Sequence, residues 1–313
     1  MKKRYKALIL ILGIITLFFV FAAYSLFIYP PVEITGDKLL LGAHRGNSVG
    51  FIENTLDALN DAVQDEKYHF IEFDVQYTKD KVAVVHHDLS LFRLQRKYIF
   101  ISELTYQELS EASDYHIPTY TEVMDLVAGK KPLNVEIKSQ GNLEDDIYLV
   151  DFVIADLQKR GLINSTLISS ISRELIDYVN NKYNQKGFYY WYPAYWNQTR
   201  YIDTGVIYYV KEQTFTKRIP LISDLTEVAR DSGFFDSMIS QMYVAGANHL
   251  MIHGANIHQY GYLRSDLPFN SRVVLWTFDD KMYLILPNET IWNSWEREKD
   301  FKIEQVKPWW EDN

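Results

Sequence analysis

Residues 69–75, HFIEFDV, set Ile71, Phe73 and Val75 in alternation with Glu72 and Asp74. Successive side chains of a strand point to opposite faces, so one face here is apolar and the other carries two carboxylates. On a solvent-facing edge strand such a pattern is ordinary. Turned towards a packed interior, the two would be like charges in a low dielectric, tolerable only with a cation between them.

The same parity recurs further along. In PLNVEIKS, residues 132–139, Val135 and Ile137 share one face while Asn134, Glu136 and Lys138 share the other. Three carboxylates from two strand ends make a hard, oxygen-lined site that suits Ca²⁺ or Mg²⁺, and Lys138 can hold an anion beside it. A third strand, in KVAVVHHDLSLFRL at 81–94, ends in His86, His87 and Asp88. His86 and His87 point to opposite faces, so one of them reaches the site. A fourth, 39–43, runs into HRGNSVGFIENT at 44–55. There Asn54 or Thr55 can cap a helix whose apolar stripe is Leu56, Leu59 and Val63. His44 and one histidine of the pair 86–87, from separate strand ends, can serve as general base and general acid about a phosphorus centre.

Apolar runs of strand length recur at 39–43, 69–75, 81–86, 132–137, 166–171, 187–191, 249–252 and 272–277, separated by helical patterns at 54–64, 119–128, 144–159 and 226–239. Strands alternating with helices indicate a parallel sheet, and about eight in a chain of this length predict an α/β fold of the TIM-type (β/α)8 barrel class. A doubly wound sheet is the alternative.

The amino terminus stands apart. Lys2, Lys3, Arg4 and Lys6 precede residues 7–29, which carry no charge. That run is long enough to span the roughly 30 Å hydrocarbon layer as a helix, whereas a cleaved signal peptide has a shorter apolar core of about 7–15 residues. The basic flank predicts a cytoplasmic tail (1–6), a transmembrane anchor (7–29), a linker (30–38) and an extracytoplasmic domain from 39 to 313. Without the four tail bases, 28 Lys and Arg face 41 Asp and Glu, a formal charge of −13. Such a surface repels polyanions and argues against nucleic acid. The absence of cysteine excludes disulfides, thiolate metal sites and cysteine catalysis. The aromatic run 187–201, with Trp191 and Trp196, reads as core packing first and as a sugar, choline or bilayer platform second.

Together these blocks resemble the glycerophosphodiester phosphodiesterase family, a β/α-barrel group related in mechanism to the phosphatidylinositol-specific phospholipases C. Its H-R-G and P-E-N-T block is matched by His44-Arg45-Gly46 and Glu53-Asn54-Thr55, with Ile52 in place of proline. Its I-E-x-D-V block is matched at 71–75. Its H-D block is matched by His87-Asp88, with Leu91 and Arg93 following, and its E-x-K block by Glu136 and Lys138. VVLWTFDD at 273–280 resembles the late W-T-x-N strand, with Asp279 in place of asparagine. The family's Gly-rich closing strand is absent, and KMYLILP at 281–287 is a candidate substitute. The barrel is therefore expected to close atypically.

The resemblance implies roles. Glu72, Asp74 and Glu136 would bind a divalent metal, with Ca²⁺ ahead of Mg²⁺. His44 and His87 would perform acid–base catalysis, Arg45 and Lys138 would hold the phosphate, Glu53 would support the metal site and Trp276 would line the pocket. The implied reaction is hydrolysis of glycerophosphodiesters, or of glycerol-phosphate polymers of an envelope, to glycerol 3-phosphate and an alcohol at the outer membrane face. The alternatives are a phospholipase acting on intact lipid and a degenerate binder of envelope glycerophosphates.

Overall fold

The computed structural model describes residues 39–184, 201–208, 244–253, 271–278 and 281–285, with 11–17, 19–20, 242 and 310. The expected strand at 187–191, the aromatic run up to Arg200, the expected helix at 226–239 and Asp279 lie outside the described residues. The chain divides into two compact units. One comprises Met1–Ile34, Val210–Ile239 and Ala255–Leu267. Its described residues, 11–17 and 19–20, are helical with large apolar side chains exposed. The rest of the 7–29 run lies outside the described residues, and no described helix is long and apolar enough to cross a membrane.

The other unit carries the sheet. Its strands are β1 (Leu39–Ala43), β2 (Phe70–Tyr77), β3 (Ala83–Val85), β4 (Leu133–Ile137), β5 (Thr166–Ser170), β6 (Asp203–Tyr208), β7 (His249–His253), β8 (Arg272–Phe278) and β9 (Lys281–Ile285). The helices are α1 (Leu56–Gln64), α2 (Phe92–Gln95), α3 (Tyr106–Ala112), α4 (Tyr120–Val127), α5 (Leu143–Arg160) and α6 (Arg173–Lys182). β1, β2, β4, β5, β6, β7 and β8 pair in parallel in that order. The sheet is curled and TIM-like, in agreement with the expected class.

Its closure departs from a pure (β/α)8 repeat, as the missing Gly-rich strand foretold. β9 turns back after β8 at the Phe278–Lys281 pair and runs antiparallel to it. On its other edge β9 runs antiparallel to β1, with Leu39 opposite Ile285. β1 thus has β2 on one side and β9 on the other. β3 is a short antiparallel partner of β2 at Val75–Tyr77.

Two apolar layers hold this arrangement. Ile71, Phe73 and Val75 are fully buried on the helix-facing side, where α1 contributes Ala58, Leu59 and Ala62 and α4 contributes Val123, Met124 and Val127. Inside the curl, Phe70, Leu167, Ile207, Met251 and Val274 form a floor, with Leu40, Trp276 and Trp310 packed against it. Glu72 and Asp74 share the parity of Phe70, so they stand above that floor towards the carboxyl ends of the strands. A third cluster, Val84, Leu91, Ile101, Leu109 and Ile117, anchors the excursion between β3 and α4. Capping boxes at Thr105–Glu108 and Thr119–Glu122 start α3 and α4.

Candidate active site

The site is built first by the turn after β1. Arg45 and Gly46 have φ of 58° and 76°, and a Cβ on Gly46 would lie 2.7 Å from the Ala58 carbonyl. Only glycine fits that approach. Arg45, a non-glycine residue in the left-handed region, is held there because its amide donates to Glu72 Oε2 at 2.7 Å. The turn thereby sets His44 with its Nε2 4.0 Å from Glu72 Oε2.

Asp74 and Glu136 are register partners on β2 and β4. One carboxylate oxygen from each of Glu72, Asp74 and Glu136 lies within 4.8 Å of the others. Lys138 Nζ sits between two of them, 2.9 Å from Asp74 Oδ1 and 2.5 Å from Glu136 Oε1. Arg45 Nε lies 3.5 Å from Asp74 Oδ2. Glu72 is fully buried, and its Oε1 has no hydrogen-bond partner. Burial, then Asp74 and Glu136, push the Glu72 carboxyl well above the usual range. Burial opposes ionisation of Asp74 too, yet Lys138, His87 and Arg45 hold it well below that range. Burial raises Glu136 despite Lys138. A buried orphan oxygen in a converging trio of carboxylates is the donor set of a hard divalent cation, so the residues fit a metal.

The histidines differ. Burial, and then the Arg45 charge, drive the His44 pKa well below its usual value, so the ring is neutral. His87 is partly exposed, and its Nδ1 bonds Asp88 Oδ1 at 2.7 Å. His86 is buried with Nδ1 against the Asp88 carbonyl at 2.9 Å.

Residues 44–302 match the sequence profile of the Glycerophosphoryl diester phosphodiesterase family. The chain belongs to this family. Its members are, by name, phosphoric diester hydrolases. A glycerophosphodiester phosphodiesterase of Caldanaerobacter subterraneus subsp. tengcongensis is 36% identical over 113 residues, 33% of this chain and 46% of that one. A human lysophospholipase D is 35% identical over 72 residues, 23% of this chain and 22% of that one. The matches thus span under half the length of either relative. A solved glycerophosphodiester phosphodiesterase from Thermotoga maritima shares the fold, with a TM-score of 0.54 at 22% identity over 83% of this chain and 91% of that one.

Of the residues expected from the family's blocks, the structure brings together His44, Arg45, Glu72, Asp74, Glu136 and Lys138, with His87 close enough to act on the charge of Asp74 and Glu136. Glu53 is joined to Asp74 through Arg45, which contacts both. Its carboxylate is taken by two arginines: Arg45 Nη1 donates to Oε1 at 2.8 Å and Arg93 Nη1 to Oε2 at 3.0 Å, with Arg93 Nη2 also on Oε1. Trp276 stands one layer above Val274 and packs partly buried against the floor.

Of the two candidate caps, Asn54 and Thr55, it is Thr55 that caps α1, accepting from the Ala58 amide. Asn54 instead holds Asp74, donating from Nδ2 to Oδ2 at 2.8 Å and accepting the Asp74 amide at 3.2 Å. Its φ of 59° makes this reach possible, and asparagine tolerates that region better than other side chains. Asn54→Ala is expected to lose about 3 kcal/mol of stability, from one bond to a buried carboxylate, one from a buried backbone amide, and a residue unsuited to positive φ. Urea unfolding measures it, and Asn54→Gly should recover the backbone share.

Asp88 supplies a pH test. Burial works to raise its pKa, but bonds from His87 and Arg93 hold it at about 2. A native pKa below the unfolded value of about 3.9 stabilises the fold fully above that value and ceases to do so as pH falls through the native one. The difference in urea midpoint between parent and Asp88→Asn should therefore shrink between about pH 4 and pH 2.

Proposed function

We propose that the protein is a metal-dependent phosphodiesterase that cleaves glycerophosphodiesters to glycerol 3-phosphate and an alcohol. The observation that carries this reading is the convergence of Glu72, Asp74 and Glu136 within 4.8 Å beside Lys138 and His44. Glu72, Asp74 and Glu136 would hold the divalent ion, Ca²⁺ ahead of Mg²⁺. When bound, the ion polarises a phosphoryl oxygen and offsets the charge that develops on it.

The remaining work falls to the chain. Arg45 and Lys138 orient the phosphate, and Asn54 keeps Asp74 turned inward. One of His44 and His87 takes the proton of the attacking hydroxyl, and the other protonates the leaving alkoxide. Asp88 fixes the His87 ring and leaves its Nε2 to face substrate. Glu53 supports the site through Arg45, and Trp276 walls the pocket from β8.

The proposed placement is a cytoplasmic tail (1–6), a membrane span (7–29), a linker (30–38) and a catalytic domain facing outward. It is supported by the uncharged 23-residue run after four bases. Carbonate extraction of membranes tests it, since a spanning anchor resists extraction and deletion of residues 1–29 should release the protein.

Hydrolysis of glycerophosphocholine with Ca²⁺, Mg²⁺ or chelator tests the activity. Turnover with metal and none with chelator is expected; no turnover with any metal would leave the binder reading instead. A second reading, action on intact lipid, is favoured by the exposed apolar side chains of Val49, Phe51 and Ile52 after β1 and of Leu89, Tyr98 and Phe100 after β3. Diacylglycerol or phosphatidic acid as product, in place of glycerol 3-phosphate, would select it.

A further inference from the structure

Arg93 has no part in the chemistry above, yet its guanidinium joins two of the groups that do. From His87 the contacts run Nδ1 to Asp88 Oδ1 at 2.7 Å, then Arg93 Nε to Asp88 Oδ2 at 2.5 Å. From Arg93 they continue through Nη1 to Glu53 Oε2 at 3.0 Å, with Nη2 on Oε1. They end at Arg45 Nη1, which donates to Glu53 Oε1 at 2.8 Å. Asp88 lies after β3 and Glu53 in the loop after β1, so the two carboxylates come from separate segments.

The base of Arg93 is fixed. Leu91 is fully buried in the cluster under α2. Gln95 donates to Ser113 Oγ at 2.9 Å and accepts the Asp114 amide at 2.8 Å. The guanidinium therefore reaches from an anchored segment. Without it, Asp88 would lose the partner that fixes its rotation, and Glu53 would be neutralised by Arg45 alone, drawing Arg45 away from the phosphate. A lysine could not replace it, because an ammonium is a point charge and a planar fork can grip two carboxylates at once.

We propose that Arg93 is a positioning residue that sets His87, through Asp88, and Arg45, through Glu53, in one register. This rests on the roles given above to His87 and Arg45. Residues that orient ligating or reacting groups are typically worth about 10–100-fold in activity, and that is the loss expected in kcat/KM for Arg93→Ala.

Four single variants and one double variant test it with glycerophosphocholine at saturating metal. Asp88→Asn should lower chiefly kcat, Glu53→Gln should raise chiefly KM, and Arg93→Ala should do both. Arg93→Lys should be no better than Arg93→Ala, and added guanidinium ion should restore part of the activity of Arg93→Ala. Glu53→Gln in the Arg93→Ala background should add little, because the two share one interaction. Parent-like kcat and KM in Arg93→Ala would overturn the proposal, as would a loss that tracks a fall in Tm and resists guanidinium. A parent inactive with every metal would sink the phosphodiesterase reading instead. Proton NMR then still decides the role of Arg93: the Nδ1–H resonance of His87, identified by its absence in His87→Gln, should vanish in Arg93→Ala, and its survival would refute the tie.

Discussion

His44→Ala is expected to lower kcat for glycerophosphocholine by about 10²–10⁴-fold, the range that a positioned acid or base contributes. KM should change little, because Arg45 and Lys138 still stand beside Asp74. His87→Ala should fall in the same range. The double variant should be far less impaired than the product of the two losses, since both histidines act in one transition state. Stopped assays at saturating metal measure all three, and a His44→Ala enzyme with parental kcat would remove His44 from the chemistry. The fold should tolerate the change, because the contact of the ring with Glu72 is a long 4.0 Å.

Glu72→Gln should separate activity from stability in opposite directions. Glu72 is fully buried and is pushed well above the usual carboxylate range by burial and by Asp74 and Glu136. The introduced carboxamide would keep an oxygen for the Arg45 amide while removing a like charge from the trio. In chelator, Tm should therefore rise by about 3 °C, the shift that about 1 kcal/mol gives in a protein of this size. Added metal should reverse the order, because a ligand that binds the folded state stabilises it in proportion to its affinity. Activity should fall by at least about 100-fold, as the loss of one oxygen ligand weakens the hold on the ion. Calorimetric scans with and without Ca²⁺ read the inversion. A variant less stable than the parent in chelator would show that the trio is not strained.

The half of the chain that carries the candidate site was legible because it rests on period-two parity. Phe70, Glu72 and Asp74 could face one side only if Ile71 and Phe73 faced the other, and one alternation exposed both the barrel layer and the carboxylates. β1 matched its expected bounds, and β4 and β5 came within a residue at each end. β6 was missed. Its sequence, DTGVIY, offers two adjacent aliphatic residues and a glycine that strand patterns disfavour. Gly205 is there because a Cβ would sit 3.0 Å from Met251 Sδ on the neighbouring strand, a demand of packing that local pattern cannot reveal.

α6 was missed for a related reason. Its Asn180, and Asn184 just beyond its end, look like surface residues, but both are buried. Asn180 bonds Thr204 Oγ1 at 3.0 Å and the Ala245 carbonyl at 2.8 Å. α3 carried a readable signal in its Thr105–Glu108 capping box. Asn54 was hardest to assign, since a capping residue and a residue that braces a buried carboxylate look alike in one dimension.

The antiparallel β9 also bears on how the protein comes to be folded. β1 cannot find its second neighbour until a strand about 240 residues downstream is available, and pairings that distant close slowly. Until then the edges of β1 and β8 are open and can template pairing with other chains. A chain cut short before Lys281 would retain all three converging carboxylates and both histidines. It would nevertheless remain an open sheet with two sticky margins, prone to aggregate. The last hairpin is therefore the latch of the molecule, far in sequence from the chemistry it protects.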